Sequence, residues 1–320
     1  MKIVVAGAGA MGCRFGGLLA EAGHDVLLVD GWAEHVDAVN AGGLRISDSR
    51  GSRTVRVAAK TFPAVDGDRA ELVIVFGKAA QTAEVARDAS AAIGPDTLVL
   101  SLQNGLGNLE VLSEYVPADR LLAGTTTLGT ELLGPGHIRA LGSGETVLGS
   151  LAPGRRREIA KARQALAGAG IAVRMTADPR ATIWTKVAFN CVMNSLCSIA
   201  AVPVSALARY DGFEPLARSV LDEIVAVAAA SDGVTVDADA VLALMKAQFS
   251  PSASGDHLAS TLQDLMRGRP TEIAHLNGAV AARASAHGIP APVNETITRL
   301  IGLLEATWPD RVNSLHSDTN

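Results

Sequence analysis

The chain has 320 residues, of which 48% are hydrophobic and 19% charged, and this composition excludes a disordered or fibrous protein. Its formal net charge is -5 and aromatic residues make up only 3%, so the basic, base-stacking surface of a nucleic-acid-binding protein is not expected. The length is typical of two domains.

Cysteine usage and hydropathy favour a cytoplasmic location. The three cysteines lack disulfide or metal-ligand spacing and are expected to be small buried residues; they are Cys13, Cys191 and Cys197. The apolar run at the N-terminus is too short for a signal peptide. The longest later run, residues 187–204, is interrupted by asparagines, so no membrane span is predicted. No metal site is expected.

Short β-branched runs alternate with helical patterns over the first 150 residues. Strands are predicted at residues 2–6, 25–29, 71–76 and 97–101, and helices at residues 11–23 and 81–93. This alternation predicts a doubly wound parallel sheet of the Rossmann type. Further strands are predicted at residues 121–127, 137–140 and 146–149, where they are expected to cover one end of the sheet.

The helical period dominates from residue 183 onward. Helices are predicted at residues 216–231, 238–249, 256–266, 271–287 and 294–305. The sequence therefore predicts a dinucleotide-binding α/β domain at residues 1–178 and an all-α substrate and catalytic domain at residues 179–309. The remaining residues, 310–320, are expected to form a frayed tail.

A glycine-rich turn joins the first predicted strand to the first predicted helix. It has the G-x-G-x-x-G pattern and consists of Gly7, Ala8, Gly9, Ala10, Met11 and Gly12. In a dinucleotide-binding turn the first glycine permits the tight bend, the second lets the backbone approach a pyrophosphate, and the third lets helix and strand pack closely. The helix N-terminus then faces the phosphates. A glycine turn without a ligand is the simpler alternative.

Asp30 follows the second strand, where a carboxylate accepts hydrogen bonds from the adenosine ribose. It would repel the 2′-phosphate of NADP(H), and no Lys or Arg occurs between Asp30 and Asn40 to offset that repulsion. We therefore expect NAD(H) rather than NADP(H). A flavin is not expected, since the chain has no room to cover an isoalloxazine.

Three polar residues recur at a spacing of four in an apolar segment. Lys186, Asn190 and Asn194 fall on one helical face. Polar groups in a buried helix are costly without partners, so they form either a satisfied structural network or a site. In a site, desolvation would lower the pKa of the lysine and make it a better proton donor near neutral pH.

The whole motif set resembles the ketopantoate reductase (2-dehydropantoate 2-reductase) family. It comprises the glycine turn, Lys78 in F-G-K-A, Gln103-Asn104-Gly105, Gly124 with three threonines, the Lys186–Asn190–Asn194 spacing, Ser260 to Asp264, Thr271-Glu272-Ile273 and Asn277-Gly278. These motifs run in family order from residue 1 to about residue 300.

The resemblance implies a role for each matching residue. Lys186 is then the general acid in the cleft between the domains, and Glu272 fixes the C4 hydroxyl of the substrate beside the cofactor. Asn104, Asn190 and Asn194 surround substrate and nicotinamide, Ser260 holds the substrate carboxylate, and Lys78 lies on the cofactor side. From spacing alone, Glu272 also suits the first turn of a helix, and Ser260 and Lys78 also suit solvated positions.

The chain departs from the family pattern at several positions. Asp30 and Gly31 stand where many members carry an arginine for the NADP phosphate, although the family leaves NADP(H) as the alternative cofactor. Ser195 stands where proline is common, and His257 where some members carry asparagine; His257 also suits an exposed helix start.

The implied function is reduction of a small 2-keto acid, 2-dehydropantoate, to (R)-pantoate in pantothenate biosynthesis, without a nucleic-acid or membrane partner. The helical domain offers a face for a homodimer. An NADH-dependent (R)-2-hydroxyacid dehydrogenase acting on other branched or aromatic 2-keto acids is the alternative. A dinucleotide-sensing protein without catalysis is a third hypothesis, but it has no need of Lys186 and Glu272 together.

Overall fold

The computed structural model describes residues 1–62, 69–249 and 258–311. It divides into two compact units, of which the first is Met1–Ile183 and the second begins at Trp184. The boundary lies within one long helix, Pro179–Ala200.

An eight-stranded sheet forms the centre of the first unit. The strands in the described residues of this unit are β1 Lys2–Ala6, β2 Asp25–Asp30, β3 Leu44–Asp48, β4 Gly51–Val55, β5 Ala58–Thr61, β6 Leu72–Val75, β7 Leu98–Ser101, β8 Leu121–Thr126, β9 Gly129–Gly134, β10 His137–Leu141, β11 Glu145–Ser150 and β12 Ala172–Met175. The large sheet has the order β12-β11-β8-β7-β6-β1-β2-β5, and only the β11–β8 pair is antiparallel.

Helices cover this sheet because its central strands are apolar on both faces. All residues of β6, β7 and β8 are buried. A parallel sheet of this kind needs cover on both sides. The helices of the first unit are α1 Ala10–Glu21, α2 Ala33–Gly42, α3 Thr82–Ala89, α4 Asn108–Ser113 and α5 Arg156–Gly168.

A second sheet, of order β4-β3-β10-β9, packs on α1. Small residues on α1 permit this packing on both sides of the helix. A Cβ atom at Gly16 would lie 2.3 Å from Leu28 of β2, and one at Gly17 would lie 2.7 Å from Ile46 of β3. The helix that follows the glycine turn is therefore held between two sheets.

The second unit is helical. Its described helices are α6 Pro179–Ala200, which begins in the first unit, α7 Phe213–Asp232, α8 Ala238–Gln248, α9 Ser260–Met266, α10 Asn277–Ala286 and α11 Pro292–Thr307. Trp184 anchors α6 within this unit, since its buried indole donates a 2.6 Å hydrogen bond to Asp232 at the end of α7. In the described parts of the chain, no helix combines the length and apolar character needed to cross a membrane.

This architecture confirms the predicted fold class, a Rossmann-type α/β domain followed by a helical domain. Two details of the prediction were wrong. Residues 121–127 and 146–149 do not cover an end of the sheet, because β8 and β11 are members of it, and residues 137–140 belong to the second sheet. The predicted helix at residues 271–287 breaks at Leu276 (φ -106°, ψ -109°) into a 3-10 helix, Ile273–His275, and α10. The helical segment predicted at residues 81–93 is confirmed, as α3 between two single 3-10 turns.

Candidate active site

The three glycines of the turn after β1 meet different surroundings. Gly7 has a φ of +92°, and a Cβ there would lie 2.4 Å from the backbone nitrogen of Gly77. A Cβ at Gly12 would lie 2.1 Å from the carbonyl oxygen of Gly7. A Cβ at Gly9 would meet no atom of the described residues within 4 Å. Two glycines are thus required by the protein's own packing, while the third borders open space.

That open space lies at the N-terminus of α1. Gly9 is the N-cap residue, no side chain caps the helix, and its first turn, which contains Ala10 and Met11, carries no acidic residue. The amides of Gly7 and Ala8 both donate to the carbonyl of Val29, which ties the turn to the end of β2. The turn therefore fits a pyrophosphate, since backbone N–H groups and the positive end of the helix dipole are both available to it.

Asp30 ends β2 and is half-buried. Its Oδ1 accepts a 2.9 Å hydrogen bond from the amide of Trp32, which holds the carboxylate at the strand end. Neighbouring residues of a strand face opposite sides of the sheet. Lys60 is paired with Val29 rather than with Asp30, so it lies on the side of the sheet opposite to this carboxylate.

Lys78 and Asn104 follow β6 and β7, so they lie at the same carboxyl edge of the sheet as the glycine turn and Asp30. Two side chains to which sequence reasoning gave no role fix these loops. The side-chain amide of Gln103 donates a 2.7 Å hydrogen bond to the carbonyl of Gly77, and that of Asn108 donates a 2.9 Å hydrogen bond to the carbonyl of Asn104. The Gln-Asn-Gly motif signalled the first of these, whereas Asn108 has no evident signal in the sequence.

In the second unit, Lys186, Asn190 and Asn194 occupy successive turns of α6, as their spacing predicts. The first two are half-buried and Asn194 is buried. Burial lowers the pKa of Lys186 to about 8, and the negative charge of Glu272 opposes that decrease. The lysine therefore has an acidity suited to proton donation near neutral pH.

Glu272 lies just before the 3-10 helix Ile273–His275, and not in the first turn of an α-helix as predicted. Its carbonyl accepts hydrogen bonds from the amides of His275 and Leu276, at 2.9 and 3.1 Å. A helix dipole is therefore not the reason for an acidic residue here, because a single 3-10 turn has almost none. The negative charge of its side chain acts on Lys186, whose pKa it raises.

Ser260 is the first residue of α9, and its hydroxyl accepts a 3.2 Å hydrogen bond from the side-chain amide of Asn194. The structure thus brings together these two predicted substrate ligands across 66 positions of sequence. Ser260 is exposed, as its alternative interpretation required. His257 lies outside the described residues, as does most of the predicted tail.

A buried network of hydrogen bonds connects α6 to α10, α11 and α7. Asn277 accepts a 2.9 Å hydrogen bond from Ser195 and donates 3.2 Å to the carbonyl of Cys191. It also donates 2.9 Å to Asn294, whose own amide donates 2.7 Å to Glu223. Sequence reasoning gave none of these residues a role, although Asn277 belongs to the Asn-Gly motif.

The candidate functional groups form two sets, one in each unit. The carboxyl edge of the large sheet carries a glycine turn and a carboxylate suited to a dinucleotide. The helical unit carries a lysine with a lowered pKa and a carboxylate. It also carries amide and hydroxyl groups, and the whole set suits a polar, oxygen-rich substrate.

The comparisons with known proteins cover both units. Residues 3–153 match the family described as ketopantoate reductase PanE/ApbA, and residues 178–305 match its C-terminal family. The chain is 37% identical over 309 residues to a 2-dehydropantoate 2-reductase of Halobacterium salinarum, covering 95% of this chain and 99% of that protein.

Solved structures give the same result. A D-mandelate dehydrogenase solved with NADH and anilino(oxo)acetate has a TM-score of 0.92 and 32% identity, covering 97% of this chain and 100% of that one. A PanE/ApbA family ketopantoate reductase from Ralstonia eutropha JMP134 has a TM-score of 0.86 and 36% identity, covering 97% of this chain and 100% of that one. The resemblance inferred from the motifs is confirmed: the chain belongs to the ketopantoate reductase family.

Proposed function

We propose that this protein reduces the C2 ketone of 2-dehydropantoate (ketopantoate) to (R)-pantoate, with a nicotinamide cofactor as hydride donor and Lys186 as general acid. Lys186 carries this proposal, because it is an ionisable group on an apolar helix with a pKa of about 8 and a carboxylate, Glu272, in electrostatic reach. The curated relatives named 2-dehydropantoate 2-reductase support the choice of substrate.

The lysine has two tasks during the reaction. A reduced nicotinamide, when bound, supplies the hydride that adds to C2 of the keto acid. Negative charge then develops on the former carbonyl oxygen, and the Lys186 ammonium stabilises that charge and donates a proton from Nζ. The product is the neutral C2 alcohol, and the lysine, left as a free amine, regains its proton from solvent.

The other polar groups of the helical unit would orient the keto acid. We assign the substrate C4 hydroxyl to the carboxylate of Glu272 and the substrate carboxylate to the hydroxyl of Ser260. Asn194 already donates to that hydroxyl, which leaves the Ser260 proton available to an anionic substrate group. Asn190, one turn nearer to Lys186, is assigned to the remaining substrate oxygens, together with Asn104.

The groups for the cofactor fit a dinucleotide. The backbone at residues 7–12 would hold the pyrophosphate, because Gly9 borders open space. Asp30 would accept from the ribose hydroxyls, and Lys78, Asn104 and Glu272 would lie toward the rest of the cofactor. We propose NADH over NADPH, since Asp30 would repel a 2′-phosphate and Lys60 lies on the other side of the sheet.

A second candidate is an NADH-dependent (R)-2-hydroxyacid dehydrogenase acting on branched or aromatic 2-keto acids. The likeness to a D-mandelate dehydrogenase solved with NADH favours it, as does Asp30. Such an enzyme would keep Lys186 but would not need a partner for a C4 hydroxyl.

A steady-state assay separates the two candidates. Ketopantoate, 2-ketoisovalerate and phenylglyoxylate are each reduced with NADH and with NADPH, in parallel. A kcat/KM for ketopantoate at least tenfold above that for 2-ketoisovalerate, which lacks the C4 hydroxyl, is expected, because a buried partner left unpaired is penalised. Equal or better reduction of phenylglyoxylate would replace the first candidate with the second.

Three further expectations stay predictions. They are a cytoplasmic location, a place in pantothenate biosynthesis, and a homodimer formed through the helical unit. Sedimentation velocity of the purified chain tests the third.

A further inference from the structure

A tryptophan stands beside the proposed ribose site without a role in the proposed function. Trp32 follows Asp30 by two residues and precedes α2, and 39% of its surface is exposed. Its backbone amide donates to the Asp30 carboxylate, so the side chains of both residues leave the same short turn. Trp32 is one of three tryptophans in the chain and one of its exposed large hydrophobic residues.

The indole is held in place by a rigid neighbour. Its ring stacks on that of His35, with centroids 5.4 Å apart and an interplanar angle of 20°. His35 is 1% exposed, and its Nδ1 accepts a 3.1 Å hydrogen bond from the amide of Gly136. Since Nδ1 is an acceptor, the neutral ring carries its proton on Nε2, which lies 3.2 Å from the sulfur of Cys13.

Cys13 extends this support to the glycine turn. Its thiol donates a 2.9 Å hydrogen bond to the carbonyl of Ala8. The indole is therefore connected through His35 and Cys13 to the turn proposed to hold the pyrophosphate. His35 packs on one face of the Trp32 ring, and 39% of the surface of Trp32 is exposed.

Two glycines flank the Asp30 carboxylate on the side of the glycine turn and on the side of the indole, namely Gly9 and Gly31. Within the part of the chain that the structure describes, a Cβ atom at either glycine would meet nothing within 4 Å. A dinucleotide with its pyrophosphate at Gly9 and its ribose at the Asp30 carboxylate would place its next group near Trp32, whose amide binds that carboxylate. In an adenine dinucleotide, the group beyond the ribose is the adenine ring.

We propose that the exposed face of Trp32 is the stacking surface for the adenine ring of the dinucleotide, with His35 as its fixed support. This inference rests on the proposed function only in requiring an adenine dinucleotide. Stacking of a base on an aromatic side chain contributes binding energy equivalent to about tenfold or more in affinity. Trp32 is then a determinant of cofactor affinity that takes no part in the reaction.

The test compares ligands that contain the adenosine half with one that lacks it. The dissociation constants of ADP-ribose and NADH are measured by calorimetry for the wild type, Trp32→Ala, Trp32→Phe and the control Trp308→Ala. The kcat/KM of reduced nicotinamide mononucleotide, which lacks adenosine, is measured for the same proteins. Tryptophan emission on addition of ADP-ribose is recorded as well.

Trp32→Ala is expected to weaken the binding of ADP-ribose and NADH about tenfold. The kcat/KM of the mononucleotide should stay unchanged. Trp32→Phe should lose less, because phenylalanine still stacks, and Trp308→Ala should match the wild type. ADP-ribose should quench the tryptophan emission of the wild type and of Trp308→Ala. The emission of Trp32→Ala should be quenched less. A melting temperature within a few degrees of the wild type establishes that Trp32→Ala is folded; Trp32→Phe decides the question if it is not.

Unchanged ADP-ribose affinity in Trp32→Ala would overturn the inference. So would an equal loss for ADP-ribose and the mononucleotide, since Trp32 would then only support the glycine turn. No binding of ADP-ribose to the wild type would overturn both this inference and the proposed cofactor. Binding through Trp32 without reduction of any keto acid would instead remove the proposed function and support the inference.

Discussion

At the scale of single residues, the environment of Lys186 predicts a pH dependence. Burial lowers its pKa to about 8, so the ammonium form required for proton donation is lost as pH rises through that value. We expect kcat for ketone reduction to be level near neutral pH and to fall about tenfold per pH unit well above pH 8. The pH profile of kcat with saturating cofactor is the measurement.

Removal of the lysine tests its role directly. Lys186→Ala is expected to lower kcat by about 10²–10⁴-fold, the usual contribution of a positioned acid. Lys246→Ala is the matched control, because Lys246 is an exposed lysine of the same unit that pairs with Glu214. Near-normal turnover in Lys186→Ala, with the control unchanged, would remove the lysine from the mechanism.

We expect Glu272 to determine the pH above which kcat falls, which is the alkaline limb of the pH profile. Its negative charge raises the pKa of Lys186, so its loss lets desolvation lower that pKa further. Glu272→Gln should therefore move the alkaline limb of kcat below pH 8, while Glu295→Gln, an exposed carboxylate on α11, should leave it in place. A limb that stays put in Glu272→Gln would contradict the electrostatic coupling.

The sequence predicted single residues well where local spacing determines position. Lys186, Asn190 and Asn194 share one face of α6 because a spacing of four does so in any helix. The sequence could not predict that Ser195 bonds Asn277, because that contact joins positions 82 residues apart and depends on helix packing. For the same reason the backbone at Glu272 was assigned to an α-helix, although the chain turns sharply at Leu276.

At the scale of elements, two glycines of one turn should respond in opposite ways to the same substitution. Gly12→Ala is expected to unfold the first unit or lower its melting temperature strongly, because the new Cβ would overlap the carbonyl oxygen of Gly7. Gly9→Ala should keep the wild-type melting temperature, since its Cβ meets nothing, yet weaken NADH binding. Calorimetric melting and NADH titration measure the two effects, and equal destabilisation would contradict this account.

The polar network behind α6 predicts a difference between two buried serines of one helix. Ser195 bonds Asn277 on another helix, whereas Ser198 bonds the carbonyl of Asn194 in its own helix. Ser195→Ala leaves a fully buried amide oxygen without that donor, which should lower the free energy of unfolding by about 1–3 kcal/mol. Ser198→Ala should lose less. Urea unfolding measures both, and equal losses would indicate cavity formation alone.

Elements with buried, β-branched strands were predictable, and half-exposed strands were not. The apolar runs of β1, β2, β6 and β7 identify them. In β3, Leu44 and Ile46 are buried while Arg45 between them is exposed, and that short alternation was not assigned to a strand. The second sheet was missed as a result, because three of its four strands are half-exposed or polar.

At the scale of the whole molecule, the proposed roles separate between the units. All the groups proposed for the dinucleotide except Glu272 lie in the first unit, and those proposed for proton transfer and most of those proposed for the substrate lie in the second. Ligand binding to the native state stabilises whatever part of the chain holds the ligand. The dinucleotide and the keto acid should therefore stabilise different units, and a stability measurement on the complete protein can locate each effect.

NADH at about 100 times its dissociation constant should raise the melting midpoint by roughly 5 to 10 °C and slow amide hydrogen exchange at residues 7–12. The same concentration of NADPH should raise it less, because Asp30 repels the 2′-phosphate. Asp30→Asn should narrow that gap, whereas Asp37→Asn, an exposed acid on α2, should preserve it. Protection confined to the helical unit would contradict the assignment of the dinucleotide to the glycine turn, and a larger shift with NADPH would reverse the cofactor preference.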